Sequence, residues 1–393
     1  MSSFADCLAP CGVPAEEPFL RNRALLAMFA TTFAGMTGFY LLFSVVPLYA
    51  MTRGASEIGA GLVTGLLMLS TVGVELVMPQ LTRWFGYRLL FAVGLFLLGA
   101  PALLLPISAN MPAILVVCLA RGMGLAIIVV VGAALAAALV PAQRRGEALG
   151  LYGAVSSLPA IAALPLGVWL ANSFGFTAVF IAGAATALSG LVAIFALPAK
   201  TDTPAASIGI LTGLGSPALM RPAMIFLTVA MAAGIITTFL PIAFSDGSGG
   251  FAALALFAQA ITTTLARWLA GRFGDRHGQS RLVIPALAAS SLGVMALVLA
   301  DNSFLVLTGM LAFGAGFGAL QNASLSLMFE RVPKSGYDTA SALWNLAYDA
   351  GYGIGAVAFG VLAVQTGYAT AFALTAAVIL AAVAPAWFDV RKR

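Results

Sequence analysis

Apolar stretches of eighteen or more residues recur through this 393-residue chain from one end to the other. A helix of that length crosses the hydrocarbon core of a bilayer, about 30 Å thick, at about 1.5 Å per residue. In lipid every backbone amide must find its partner within the chain, so only helices or a closed barrel can span. A barrel would show short segments of alternating polarity, and these runs do not alternate. Composition agrees: 61% of the residues are hydrophobic and 8% are charged, against about a quarter charged in a soluble protein. The expected fold class is an all-α integral membrane protein.

Apolar length predicts twelve transmembrane helices, over 24–50, 56–80, 88–108, 112–140, 147–171, 176–198, 222–245, 249–270, 281–300, 303–329, 338–364 and 368–388. One connection is long, the Gly/Pro/Ser/Thr-rich stretch Lys200–Arg221. The expected organisation is therefore an N-terminal tail (1–23), a six-helix bundle (24–198), a linker (199–221), a second six-helix bundle (222–388) and a C-terminal tail (389–393). The halves echo one another. Gly86, Gly175 and Phe180 recur 192 residues later as Gly278, Gly367 and Phe372, and Gly122 and Gly124 recur at the same offset as Gly314 and Gly316. Pro47 of the first span has a counterpart in Pro241 of the seventh. Two pseudo-symmetric bundles around a central cavity suit alternating access.

Net charge is +5, but its distribution says more. With the N-terminus inside, every one of the 19 Lys and Arg residues except Arg53 and Arg121 falls at or near a cytoplasmic helix end or loop. That asymmetry places both termini and the linker in the cytoplasm and implies no nucleic-acid partner. The three cysteines, Cys7, Cys11 and Cys118, make no disulfide framework. With His277 as the sole histidine, neither a metal site nor a cofactor is expected. Glu16 and Glu17, in a first segment without an apolar core, argue against a cleavable signal peptide.

The candidate functional residues are polar groups set inside these runs. Ser341–Gly360 carries Asp349 near its middle, with Asn345, Tyr348 and Tyr352 on the same helical face and Gly351 and Gly355 on the other. An acid at bilayer depth is costly and is normally kept for a task; the bland alternative is a neutral aspartate locking helix packing. Further stripes are Thr37, Tyr40 and Ser44; Thr64, Thr71 and Glu75; Gln259, Thr263 and Arg267; and Gln321 with Asn322. A lone Ser or Thr is better explained by bonding to its own helix. Whole stripes suit the lining of a watery cavity.

The segment Gly271-Arg-Phe-Gly-Asp275-Arg276-His-Gly278 resembles the G-x-x-x-D-R-x-G signature of the major facilitator superfamily, found there in the loops after spans two and eight. The first-half version, Pro79 to Arg88, keeps Gly86 but has Arg83 where the aspartate belongs; Arg83 either forms a charge-swapped latch with Glu330 or Asp338 or simply marks the cytoplasmic side. Arg121-Gly-Met-Gly124 is similar to the family's R-x-x-x-G pattern on span four, where the arginine is associated with proton coupling; the alternative is a structural arginine tying carbonyls between helices. Arg144-Arg145-Gly146 resembles the turn between spans four and five. Pro159, Pro165 and Gly167 depart from the paired Gly-Pro of the antiporters' span five.

The resemblance implies a gate of Gly271, Asp275, Arg276, Gly278, Arg83, Arg144 and Arg145. It also implies that spans two and eleven face each other, so that Glu75 and Asp349 could share a cavity and bind a proton reversibly, with Arg121 tuning them; Glu75 paired with Arg83 at the membrane surface is the alternative. Tyr40, Thr37, Gln259, Gln321, Asn322, Asn345, Tyr348 and Tyr352 are the expected substrate-binding residues. The function expected is proton-coupled export of a small neutral or amphipathic molecule by a monomer in a bacterial cytoplasmic membrane, in contact with lipid. Uptake of a sugar or metabolite by a symporter or facilitator, or a membrane sensor, are the alternatives; an enzyme is not expected.

Overall fold

A computed structural model describes residues 22–108, 110–140, 144–198, 213–244, 249–333 and 336–391. Cys7, Cys11, residues 1–21 of the N-terminal tail, the last two residues, most of the linker and the Asp338 side chain lie outside the described residues. The helices are α1 (Arg23–Phe43), α2 (Val45–Thr52), α3 (Glu57–Gly99), α4 (Met111–Ala138), α5 (Arg145–Phe174), α6 (Phe176–Ser189), α7 (Pro217–Ala243), α8 (Gly249–His277), α9 (Ser280–Ala296), α10 (Ser303–Glu330), α11 (Tyr337–Ala381) and α12 (Val383–Arg391). Among the described residues, ten helical segments are long and apolar enough to cross a membrane. Two are double length. Gly86 (φ 72°, ψ 166°) breaks α3 into two arms, and Gly367 (φ 78°, ψ 164°) breaks α11.

The starts follow local chemistry. Asn22, Asn110 and Asn302 accept hydrogen bonds from the amides of Leu25, Ala113 and Leu305, capping α1, α4 and α10. Large apolar side chains such as Ile107, Leu69, Val192, Phe195 and Phe304 stand exposed on the outer surface, as a lipid-facing surface requires.

The duplication extends to backbone conformation and packing. Gly86, Gly175, Gly278 and Gly367 share φ between 72° and 91°, a region a β-carbon disfavours. Gly122 lies against the Leu67 carbonyl and Ser70; 192 residues on, Gly314 lies against the Gln259 carbonyl and Thr262, at the same offset. Gly124 meets the Gly94 carbonyl and Leu98, and Gly316 meets the Ala286 carbonyl and Ser290, again in register. Each contact brings two helix backbones together where no side chain would fit.

Several boundaries differ from the apolar runs. The first arm of α3 continues past Gln80 to Gly86, and α8 past Ala270 to His277. The signature Gly271–Gly278 is therefore the last two turns of α8 and not a loop. Gly278 ends the helix at φ 91°, its amide donating to the Gly274 carbonyl at 2.8 Å. The second bundle begins at Pro217, within the expected linker.

Candidate functional site

The first arm of α3 packs along the first arm of α11, and α5 along α8, so these four elements form the seam between halves. At one end the seam is tight. Gly61 lies on the Ala356 carbonyl, Gly65 on Val357, Gly353 on Met68, and Gly360 on the Glu57 carbonyl. Thr64 and Thr238 add a buried hydrogen bond of 2.8 Å between halves. Gly351 and Gly355 pack on Leu227 and Met231 of α7, as their expected role in helix contact required. That leaves the face of α11 bearing Asp349 turned toward α3.

There the Glu75 and Asp349 carboxyls, from opposite halves, lie close enough to interact with each other. Both side chains are half-buried. Glu75 stands eleven residues before the Gly86 kink, about 16 Å along the helix, and Asp349 twelve residues after Tyr337, about 18 Å. Both are thus deep within the spans, and Glu75 is not a surface partner of Arg83. Two neighbouring carboxyls away from bulk water repel when both are ionised, so a proton held by one of them favours the contact.

A run of packed aromatic rings lies beside the acids, mostly buried, with Tyr40 and Tyr348 partly exposed. Phe226, Trp344, Tyr348, Tyr352, Phe43, Phe39 and Tyr40 follow one another with centroid separations of 4.7 to 5.9 Å, crossing from the second half to the first. The Tyr348 hydroxyl donates to that of Tyr352 at 3.2 Å. Tyr40 and Tyr348 lie close enough to interact electrostatically with Asp349 and also with Arg267. Arg267 donates to Gln321 Oε1 at 3.4 Å. It was read from sequence as a charge at a helix end, yet stands ten residues, about 15 Å, inside α8. Phe43, Phe226 and Trp344 carry no sequence signal that separates them from core aromatics.

Other candidates fall elsewhere. Arg121 is fully buried and donates to the carbonyls of Leu98, Gly38 and Phe39, tying α4 to α1 and to the second arm of α3. No carboxyl is among its partners in the described residues. Thr37 bonds its own helix at the Phe33 carbonyl, 2.7 Å away, and Gln259 donates to Thr263 one turn along. Asn322 lies beside Gly271 with a buried Oδ1 that has no partner among the described residues. Asn345 is half-buried on the Asp349 helix. At the opposite end from the glycine seam, Asp275, Arg276, Arg83 and Arg145 are exposed. Arg144 pairs with Glu147 of its own helix at 3.1 Å.

The chain is similar over 373 residues, at 22% identity, to an uncharacterized MFS-type transporter of Methanocaldococcus jannaschii, covering 90% of this chain and 95% of that protein. A probable sugar efflux transporter of Helicobacter acinonychis matches at 26% identity over 242 residues, 59% of this chain and 60% of that one. Among solved structures, the nucleoside transporter NupG superposes with a TM-score of 0.72 at 15% identity, covering 92% of this chain and 98% of that one. A bacterial homolog of the human lysosomal transporter Spinster, inward-facing and unoccupied, gives 0.74 at 14% identity over 95% and 98%. These two likenesses carry the fold alone. The family model of the Major Facilitator Superfamily matches residues 27–245 and again 222–393. By that match, which spans both halves, the chain is a member of the Major Facilitator Superfamily.

Proposed function

We propose that this transporter exports a small neutral or amphipathic organic molecule in exchange for protons, by alternating access between the two bundles. The reading counts each arm of α3 and α11 as a separate crossing, twelve in all, with both termini cytoplasmic. One observation carries it: the Glu75 and Asp349 carboxyls come from opposite halves and are neighbours inside the bundle, where one shared proton spares them two like charges. Losing that proton leaves two negative charges in contact, and their repulsion pushes the halves apart where they meet. Protonation is thereby tied to the relative position of the bundles. The sugar efflux relatives support export, and the aromatic ladder supports a substrate with an apolar face.

In this reading the conformer described here opens toward the cytoplasm, because the glycine seam closes the opposite end. Asp275 would meet Arg144 or Arg145 in the other conformer, where Arg144 would exchange Glu147 for a partner across the halves. Arg121 acts at a distance, fixing α1 and α4 behind the Tyr40 side of the cleft. Uptake on the same fold is the second reading, favoured by the missing Gly-Pro pair of α5. The test is counterflow in proteoliposomes against sugars, nucleosides and amphipathic drugs. Exchange of at least one solute that responds to an imposed pH gradient is expected; exchange indifferent to pH would point to a facilitator.

A further inference from the structure

The molecule holds two intramembrane arginines whose surroundings differ. Arg121 is enclosed and bonded to three backbone carbonyls. Arg267 faces the cleft, half-buried, with a single hydrogen bond to Gln321 at 3.4 Å. A guanidinium has five N–H donors and does not lose its charge in a protein, so most of its donors there are left to the cleft. Its electrostatic neighbours are the Tyr40 and Tyr348 hydroxyls, and it makes no ion pair among the described residues.

The internal repeat explains the vacancy. At the offset of 192, Arg267 is the counterpart of Glu75, and Ser157 of α5 is the counterpart of Asp349. That register holds through both helices, since Gly175 pairs with Gly367 at one end, and Ala148 with Ala340, both fully buried, toward the other. On one side of the cleft an acid on α3 is met by an acid on α11. On the symmetric side a base on α8 faces a helix that offers a serine where an acid would complete the pair.

We infer that Arg267 receives the anionic group of the transported molecule, with the Tyr40 and Tyr348 hydroxyls and the Gln321 amide beside it. Gln321 accepts through Oε1, which leaves its amide N–H groups to donate to the same anion. One guanidinium balances one negative charge, and the partly exposed rings of Tyr40 and Tyr348 offer a face to an apolar body. The substrate class is thus an amphipathic monoanion, such as an aromatic carboxylate or a sugar acid. This narrows the proposed function and rests on its placement of the substrate in the cleft.

The test uses matched pairs that differ in charge but little in shape: indole-3-acetate and indole-3-acetamide, 4-hydroxyphenylacetate and its amide, and glucuronate and glucose. Binding to the purified full-length protein is read as ligand-dependent thermal stabilisation. At least one acid should bind and its neutral partner should bind on the order of thirtyfold more weakly, the scale for truncating one side of a buried charged hydrogen bond. Arg267→Gln should weaken the acid by the same factor and leave neutral ligands unchanged; Arg267→Lys, which keeps the charge, should recover part of the loss. The inference is overturned if no acid binds, if neutral partners bind equally, or if Arg267→Gln binds the acids as the unmutated protein does. Should Arg267→Gln fail to fold, the acid–neutral comparison on the unmutated protein and on Arg267→Lys decides. Acids that bind but are never exchanged across vesicles would leave the site standing and sink the transport reading instead.

Discussion

Glu75→Gln should remove the pH dependence of the seam between the halves. In the unmutated protein the neighbouring Glu75 and Asp349 carboxyls avoid two like charges by holding a proton. Raising the pH removes it and leaves two like charges in contact. At 4 Å their repulsion is about 1 kcal/mol at the dielectric constant of water and about 4 kcal/mol at the effective value near 20 typical of protein sites. That is between roughly fivefold and a thousandfold in the equilibrium between seam-closed and seam-open forms. The sign is fixed: the contact is favoured at low pH and lost as pH rises. Glutamine at position 75 can donate to the Asp349 carboxylate without a proton and carries no charge, so the balance between seam-closed and seam-open forms should be the same at both extremes. Spin labels on cysteines replacing Thr52 and Gln365, both exposed at the seam end, report the distance between halves. In the unmutated background the distribution should move to longer distances as pH rises; in Glu75→Gln it should not move. A pH response in the variant equal to that of the unmutated protein would refute the argument, since repulsion between these two carboxylates could not then be its source.

Three further outcomes follow from other parts of the molecule. Arg121→Gln removes donors from the Leu98, Gly38 and Phe39 carbonyls; it should lower stability by about 1–3 kcal/mol per carbonyl left unbonded, read as a fall in the thermal midpoint, and an unchanged midpoint would contradict a tying role. Asp275→Asn should slow turnover more than it weakens binding, because the contact proposed for Asp275 stabilises a conformation and touches no ligand; the reverse pattern would remove it from the gate. In a background free of other cysteines, Asp301→Cys should label from outside intact cells and His277→Cys should not, both positions being exposed at opposite ends of the bundle.

The parts of this account that were legible in the sequence are those with a local physical cause. Apolar run length announces a spanning helix because hydrocarbon excludes charge. Gly86, Gly175, Gly278 and Gly367 announce the duplication because their φ values admit few other residues. Thr37, expected to bind substrate, bonds its own helix at the Phe33 carbonyl. Depth was the failure. A helix continues wherever its backbone bonds continue, whether or not the side chains are apolar, so α3 and α8 outrun the apolar runs that mark them. Glu75 and Arg267 consequently looked nearer the membrane surface than they stand. The meeting of Glu75 with Asp349, 274 positions away, has no local signal; only the family resemblance placed their helices together. Arg121 shows the limit of such carry-over, since its hydrogen bonds to three carbonyls match the structural alternative.

The most direct test of proton coupling at the acid pair is accumulation of substrate driven by a pH gradient in proteoliposomes containing Asp349→Asn. The amide cannot release a proton in this range and removes the repulsion between two carboxylates, so the balance between the two orientations should no longer follow pH, while substrate should still exchange when no gradient is applied. Gradient-driven accumulation should be abolished. Accumulation by Asp349→Asn equal to that of the unmutated protein would contradict the account.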